Sequence, residues 1–147
     1  MIVPDVNVLV NAFHPPSPRH EVARRWLEDA LIHRETLGLL DVIATGFVRV
    51  MTNPKVFSEP LTGSQALGAV EMLMRNPNTA LIRANDSTWP IFQELVESYE
   101  LRSNDIPDAW IAAAVIGEEA TLVSDDRGFG RFPDLRWKTL PESVSNP

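Results

Sequence analysis

The stretch Thr121–Phe129, TLVSDDRGF, begins as a buried strand and then places two carboxylates side by side. Thr121, Leu122 and Val123 suit a strand interior. Ser124, Asp125 and Asp126 follow at once, then a glycine and an aromatic. A helix cap needs one aspartate and a turn needs one. Two like charges where a hydrophobic strand stops repel each other and ask for a further reason.

Outward from this stretch, the chain alternates strand and helix. Strands are expected at Met1–Val3, Gly38–Leu40, Thr79–Ala84 and Thr121–Ser124, with a fifth at Arg136–Thr139. Between them lie helix patterns. Asn7–Phe13 is short and stops at the prolines of HPPSP. Ser17, as a cap before Pro18, opens a helix to about His33. Asp41 caps a helix carrying Ile43, Phe47, Val50 and Met51, which Thr52–Pro54 ends. Ser64–Arg75 turns Leu67, Val70 and Met74 inward, and Asp86 or Ser87 caps a helix to about Tyr99. Pro107 to about Ile116, PDAWIAAAVI, is strongly apolar. Such alternation predicts an α/β fold, a parallel sheet with helices on both faces. No repeat or linker divides it, so residues 1–140 read as one domain and 141–147 as a short tail.

The totals narrow the function. A chain of 147 residues with 44% hydrophobic and 22% charged residues suits a globular domain rather than a disordered chain. No apolar run approaches a membrane span, and nothing at the N-terminus reads as a signal peptide, so a cytoplasmic location is expected. There is no cysteine, which removes disulfides and thiolate metal sites. Twenty acids against 13 bases give a net charge of −7. That excludes a protein gripping nucleic acid by charge alone, but not a nuclease whose acids converge on a cation. It also suits a basic protein partner.

In an open parallel sheet, functional groups gather outside the carboxyl ends of the strands. Asp5 follows the first strand, and Asp125 and Asp126 follow the fourth. Asp108 stands in the first turn of the helix preceding that fourth strand, and this helix runs antiparallel to the strands, so its N-terminus faces the same edge. Asp5, Asp108 and Asp126 therefore converge. Carboxylates brought close take up protons unless a cation joins them. Oxygen donors without cysteine or a histidine pair suit Mg²⁺ or Mn²⁺, whose bound water serves phosphodiester hydrolysis. Taken singly, Asp5 also reads as a helix cap, Asp108 as an acid complementing a helix dipole, and Asp125, Asp126 and Asp105 as turn residues.

DVNVLVNAF at the N-terminus, FVRVMTNPKVF, IPDAWIAAAV and TLVSDDRGFGRF together resemble the ordered motifs of PIN domains, and most closely the VapC-type toxin ribonucleases. The resemblance spans Ile2 to about Leu140 and implies a three-layer α/β/α sandwich with a central parallel sheet. It places the family's acids on Asp5, Asp108 and Asp126, with Asn7 supporting the first and Ser124 orienting the last. Many members carry Glu before the phenylalanine of FVRV, where this chain has Gly46. That departure favours one Mg²⁺ over two, with Asp125 or Asp105 as a possible additional acid. The resemblance further implies a Mg²⁺-dependent endoribonuclease acting on structured RNA such as tRNA or rRNA, a homodimer, and a cognate antitoxin protein covering the site.

Arg127, Arg131, Arg136 and Lys138 are the basic residues nearest the acids; with Arg49 on the FVRV helix, Arg127 and Arg131 are candidates for RNA contact. Solvated charge is the competing reading for Arg136 and Lys138. His14, His20 and His33 have no metal-binding spacing, and Trp26, Trp89, Trp110 and Phe92 read as core or interface anchors. A haloacid-dehalogenase-like enzyme wants a second acid in DVNVL, and a receiver domain wants a lysine placed where neither Lys55 nor Lys138 falls. A catalytically degenerate PIN-like binding domain is the remaining alternative.

Overall fold

A computed structural model of the chain describes residues 1–33 and 35–143. Strands β1 (Ile2–Pro4), β2 (Leu37–Leu40), β3 (Thr79–Ile82), β4 (Thr121–Val123) and β5 (Arg136–Lys138) form one sheet in the order β3-β2-β1-β4-β5. Every neighbouring pair is parallel. Parallel strands need helical crossovers, and these cover both faces of the sheet. The central strands are accordingly apolar, with Val3, Leu37, Leu39, Leu40, Leu122 and Val123 fully buried, whereas β5 at one edge carries the exposed Arg136 and Lys138.

The helices are α1 (Val6–Phe13), α2 (His20–Ile32), α3 (Asp41–Met51), α4 (Gly63–Arg75), α5 (Thr88–Ser98) and α6 (Asp105–Gly117), with a 3-10 helix at Arg127–Arg131. Right-handed crossovers from β1 to β2 to β3 put α1–α4 on one face, and the return from β3 to β4 puts α5 and α6 on the other. The packing follows that division, with α1 against α2 and α3, α3 against α4, and α5 against α6. The expected α/β architecture is thus the observed one. Helix α6 buries Ala109, Ala112, Ala113, Ala114 and Val115, so it is apolar nearly all round, as a central helix should be.

This strand order places the topological switch between β1 and β4. From β1 the chain leaves toward β2, whereas β4 enters on the other side. The carboxyl ends of these two strands therefore frame a crevice, and Asp5 and Ser124–Asp126 sit at its two lips.

Several local expectations are corrected. Ser17 does not cap α2, which starts at His20. The Ser17 hydroxyl instead accepts the Arg19 N–H at 3.1 Å and donates to Asn11 at 2.7 Å, making a turn before the helix. Leu67 and Met74 do not face inward: they are exposed, and Ala66, Val70 and Leu73 form the buried face of α4. That helix begins with a capping box of Thr62 and Gln65 and packs on α3 and β3. Neither Asp86 nor Ser87 caps α5 through its side chain. The turn there is closed by Asn85, which accepts the Ser87 N–H, and by the buried Thr88 hydroxyl, which accepts the Asn85 N–H. Of the expected tail, residues 144–147 lie outside the described residues. The carbonyls of Pro141 and Glu142 accept hydrogen bonds from Arg19.

Candidate active site

Asp5 follows β1 and caps α1, so the cap reading and the candidate-site reading fall on one residue. Only 6% exposed, it has both carboxylate oxygens engaged. Oδ1 accepts the Val6 N–H at 2.7 Å, and Oδ2 accepts the Asn7 side-chain amide at 2.7 Å and the Ser124 hydroxyl at 2.6 Å. Burial raises the pKa of Asp5; the Ser124 and Val6 hydrogen bonds oppose that rise, and the charge of Asp126 adds to it.

Ser124 joins the two lips of the crevice. Its hydroxyl donates to Asp5 and accepts from the Asn7 amide at 2.9 Å and from the Asp126 N–H at 3.0 Å, which uses its whole hydrogen-bonding capacity. Asn7 closes the circuit by accepting the Asp125 N–H at 3.2 Å. The sequence thus places a small hydroxyl residue where a buried carboxylate and a loop backbone must be tied together.

Asp126 is exposed at the start of the 3-10 helix, where its Oδ1 accepts the Gly128 N–H at 2.8 Å. Asp108 is half-buried in the first turn of α6, and its pKa is also raised, chiefly by burial and then by Asp126. Asp5 and Asp105 push it further up, while Arg131 opposes them. The three expected acids therefore act on one another electrostatically across the crevice.

Asp125 points elsewhere. It accepts Arg19 Nε at 3.0 Å and the Leu140 N–H at 3.0 Å, fastening the start of α2 and the end of the chain to the loop after β4. The two adjacent acids of TLVSDDRGF thus have separate partners, Asp126 the Gly128 N–H and Asp125 Arg19 and the Leu140 N–H. Asp105, the other possible additional acid, pairs with Arg131 Nη1 at 2.9 Å, and the same guanidinium reaches Asp108 Oδ2 through Nη2 at 3.2 Å.

A groove of about 760 Å³ opens beside Asp5 and Asp108. Val6, Val42, Gly46 and Arg49 line one wall, and Trp89, Phe92 and Trp110 the other. The three aromatic rings contact each other at centroid distances of 5.2–6.1 Å. Trp89 is 61% exposed, so it borders the groove rather than anchoring the core. This wall was not legible as site-forming, because aromatic residues at helical spacing usually mark a core. Arg49 and Arg127 are both exposed.

The converging side chains offer only carboxylate oxygens, with a hydroxyl and an amide behind them, a donor set that fits Mg²⁺ or Mn²⁺. Among the described residues, no three acids are already drawn together as a ligand set. Arg131 holds Asp108 and the Gly128 N–H holds Asp126, so both would have to turn toward a cation.

The sequence matches the family described as PIN domain over residues 2–135. It is similar to the VapC ribonuclease Mb2897 of Mycobacterium bovis, 40% identical over 138 residues that cover 94% of each chain. In fold it is similar to VapBC2 from Rickettsia felis bound to a promoter DNA fragment, at a TM-score of 0.71 and 19% identity, covering 96% of this chain and 100% of that one. A toxin–antitoxin complex from Klebsiella pneumoniae gives a TM-score of 0.58 at 17% identity, covering 92% of this chain and 95% of that one.

Proposed function

This chain belongs to the PIN-domain family as a VapC-type ribonuclease, and on that premise we propose that Asp5, Asp108 and Asp126 hold Mg²⁺, or Mn²⁺ in its place, to hydrolyse phosphodiester bonds of structured RNA such as tRNA or rRNA. The observation carrying this reading is the Ser124 hydroxyl, which ties Asp5 to the Asp126 backbone across the crevice between β1 and β4. The bound cation would supply an activated water and offset charge on the phosphate oxygens.

The chain's own residues do the rest. Asn7, Ser124 and the Val6 N–H hold the Asp5 carboxylate in one orientation, so it needs little reorganisation on loading. Asp108 and Asp126 each keep an oxygen without a hydrogen-bond partner among the described residues. Arg49 and Arg127 contact the RNA backbone on either side of the acids, positioning groups that carry no sequence information. The groove walled by Trp89, Phe92 and Trp110 lies beside Asp5 and Asp108.

A cognate antitoxin protein covers the site in this reading, a basic segment of it complementing the −7 charge of the chain. The domain of residues 1–140 acts in the cytoplasm as a homodimer. With Gly46 there, α3 contributes Val42, Gly46 and Arg49 but no acid to the groove lining, which supports a single cation.

Cleavage of total bacterial RNA by the purified protein, with Mg²⁺ and with excess chelator, tests the proposal beside an Asp5→Asn control. Discrete fragments that need Mg²⁺ and vanish in the control are expected. Cleavage retained in both Asp5→Asn and Asp108→Asn would remove the assignment of these acids. A folded protein that neither cleaves nor binds Mg²⁺ would leave the degenerate binding domain as the better reading.

A further inference from the structure

The acidic crevice already has a cation beside it, the guanidinium of Arg131. We propose that Arg131 is an internal competitor for the metal: it holds Asp108 in the cation-free protein and withdraws onto Asp105 when a divalent cation takes Asp108. This inference rests on the metal reading above.

The geometry is that of a shared group rather than a settled ion pair. Arg131 does not fork onto one carboxylate, the arrangement that best uses a guanidinium. It divides its two terminal nitrogens between Asp105 at 2.9 Å and Asp108 at 3.2 Å, and the longer contact is the one to Asp108. Asp105 and Asp108 stand three residues apart in the first turn of α6, so they are neighbours on one face and a small swing separates them. Arg131 Nε is buried and has no partner among the described residues, so this position leaves the group incompletely satisfied. The guanidinium lies over the Phe132 ring at 4.9 Å, which keeps it beside Asp105 whichever carboxylate it holds.

In the cation-free protein Arg131 opposes on Asp108 the charge that Asp126 and Asp5 place there, the part a divalent cation would take over. The same arrangement gives Asp105 a task distinct from ligation. Asp105 is the resting partner that accepts the displaced arginine and so keeps a positive charge from returning to the metal's own carboxylate.

The test is Mg²⁺ binding to the full chain by calorimetry, in a cycle of Arg131→Gln, Asp105→Asn and the double variant, each first shown to be folded. Arg131→Gln should bind Mg²⁺ roughly 2- to 5-fold tighter, the range an exposed ion pair commands. Asp105→Asn should weaken binding by a similar factor, because Arg131 then has only Asp108 to hold. In the Arg131→Gln background, Asp105→Asn should change little. Weaker binding in Arg131→Gln would mean that the arginine positions Asp108 for the metal, and would overturn the proposal. An equal loss from Asp105→Asn in both backgrounds would make Asp105 a ligand and overturn it too. Absence of saturable Mg²⁺ binding in the unaltered chain, or binding indifferent to Asp5→Asn, would instead refute the metal reading itself. A check free of variants is the NMR signal of the Arg131 Nε–H, which should shift on Mg²⁺ addition and saturate with the calorimetric curve; a signal that stays still sinks the exchange.

Discussion

Ser124 and Asp5 are 119 residues apart in the chain, and the Ser124 hydroxyl donates to Asp5 Oδ2 at 2.6 Å. Because that oxygen atom of Ser124 also accepts the Asp126 N–H, its removal strikes both lips of the crevice. Ser124→Ala leaves a buried carboxylate short of a donor and a loop N–H short of an acceptor, a cost of about 1–3 kcal/mol. The expected result is a lower urea midpoint with an unchanged slope, together with weaker Mg²⁺ binding. A variant as stable as the parent would show that water replaces the hydroxyl at no loss.

Asp125 and Asp126 should separate cleanly on mutation although they are adjacent. Asp125→Asn loses the ion pair with Arg19, whose side chains are 26–30% exposed, and is expected to cost about 1 kcal/mol of stability with cleavage retained. Asp126→Asn should abolish cleavage with a smaller effect on stability, because an amide oxygen still caps the 3-10 helix by accepting the Gly128 N–H. Thermal unfolding and RNA cleavage measured on both variants decide it; the opposite pattern would exchange the two roles.

The contrast between those neighbours marks how far the sequence could be read. Alternation of apolar strands with helix patterns made the centre of the sheet legible, since β1, β2 and most of β4 are buried on both faces. The sheet edge that carries Asp5, Asp108 and Asp126 followed from the carboxyl ends of β1 and β4 and from the direction of α6. The partner of Asp125 did not, because Arg19 lies 106 residues away and a surface pair has no sequence period. The inward face of α4 was misread for a local reason: the stripe Leu67–Val70–Met74 is as good a helical pattern as Ala66–Val70–Leu73. Packing against α3 and β3 chooses between them, and spacing alone does not show that. Nor could spacing show that Arg131 divides itself between Asp105 and Asp108.

The raised pKa values of Asp5 and Asp108, each caused first by burial, fix the sign of a pH dependence. A carboxyl raised on folding binds more protons in the native than in the unfolded state between the two values. Its contribution to stability is full below the ordinary aspartate value and is lost as pH rises through the raised one. The cation-free protein should therefore lose stability from these groups as pH rises above the ordinary aspartate range. Mg²⁺ favours the ionised form, so the rise in melting temperature on adding Mg²⁺ should be larger at neutral than at acidic pH. Asp5→Asn should flatten both trends, as thermal scans across that range would show. An Mg²⁺ effect independent of pH would place the cation away from these carboxylates.

Gly46 poses a balance that magnitudes can decide. A glycine inside a helix costs roughly 0.5–1 kcal/mol relative to alanine, so Gly46→Ala should stabilise α3 if space allowed. A Cβ at this position would meet Val6 Cγ2 at 2.9 Å, and a β-branched valine has little freedom to turn away. Overpacking of that kind costs about 1–3 kcal/mol, which outweighs the helix gain. Gly46→Ala is therefore expected to be neutral to destabilising by itself. In a Val6→Ala background it should become stabilising by about 0.5–1 kcal/mol, and a double-mutant cycle of unfolding free energies measures the coupling. The same cycle bears on the site, because Val6, Gly46, Asp5 and Asp108 line one groove. If the coupling is found, Gly46→Glu should tighten Mg²⁺ binding only where Val6→Ala has made room for it. If Gly46→Ala stabilises the unaltered chain, Val6 yields freely, and Gly46→Glu alone should then add the fourth acid.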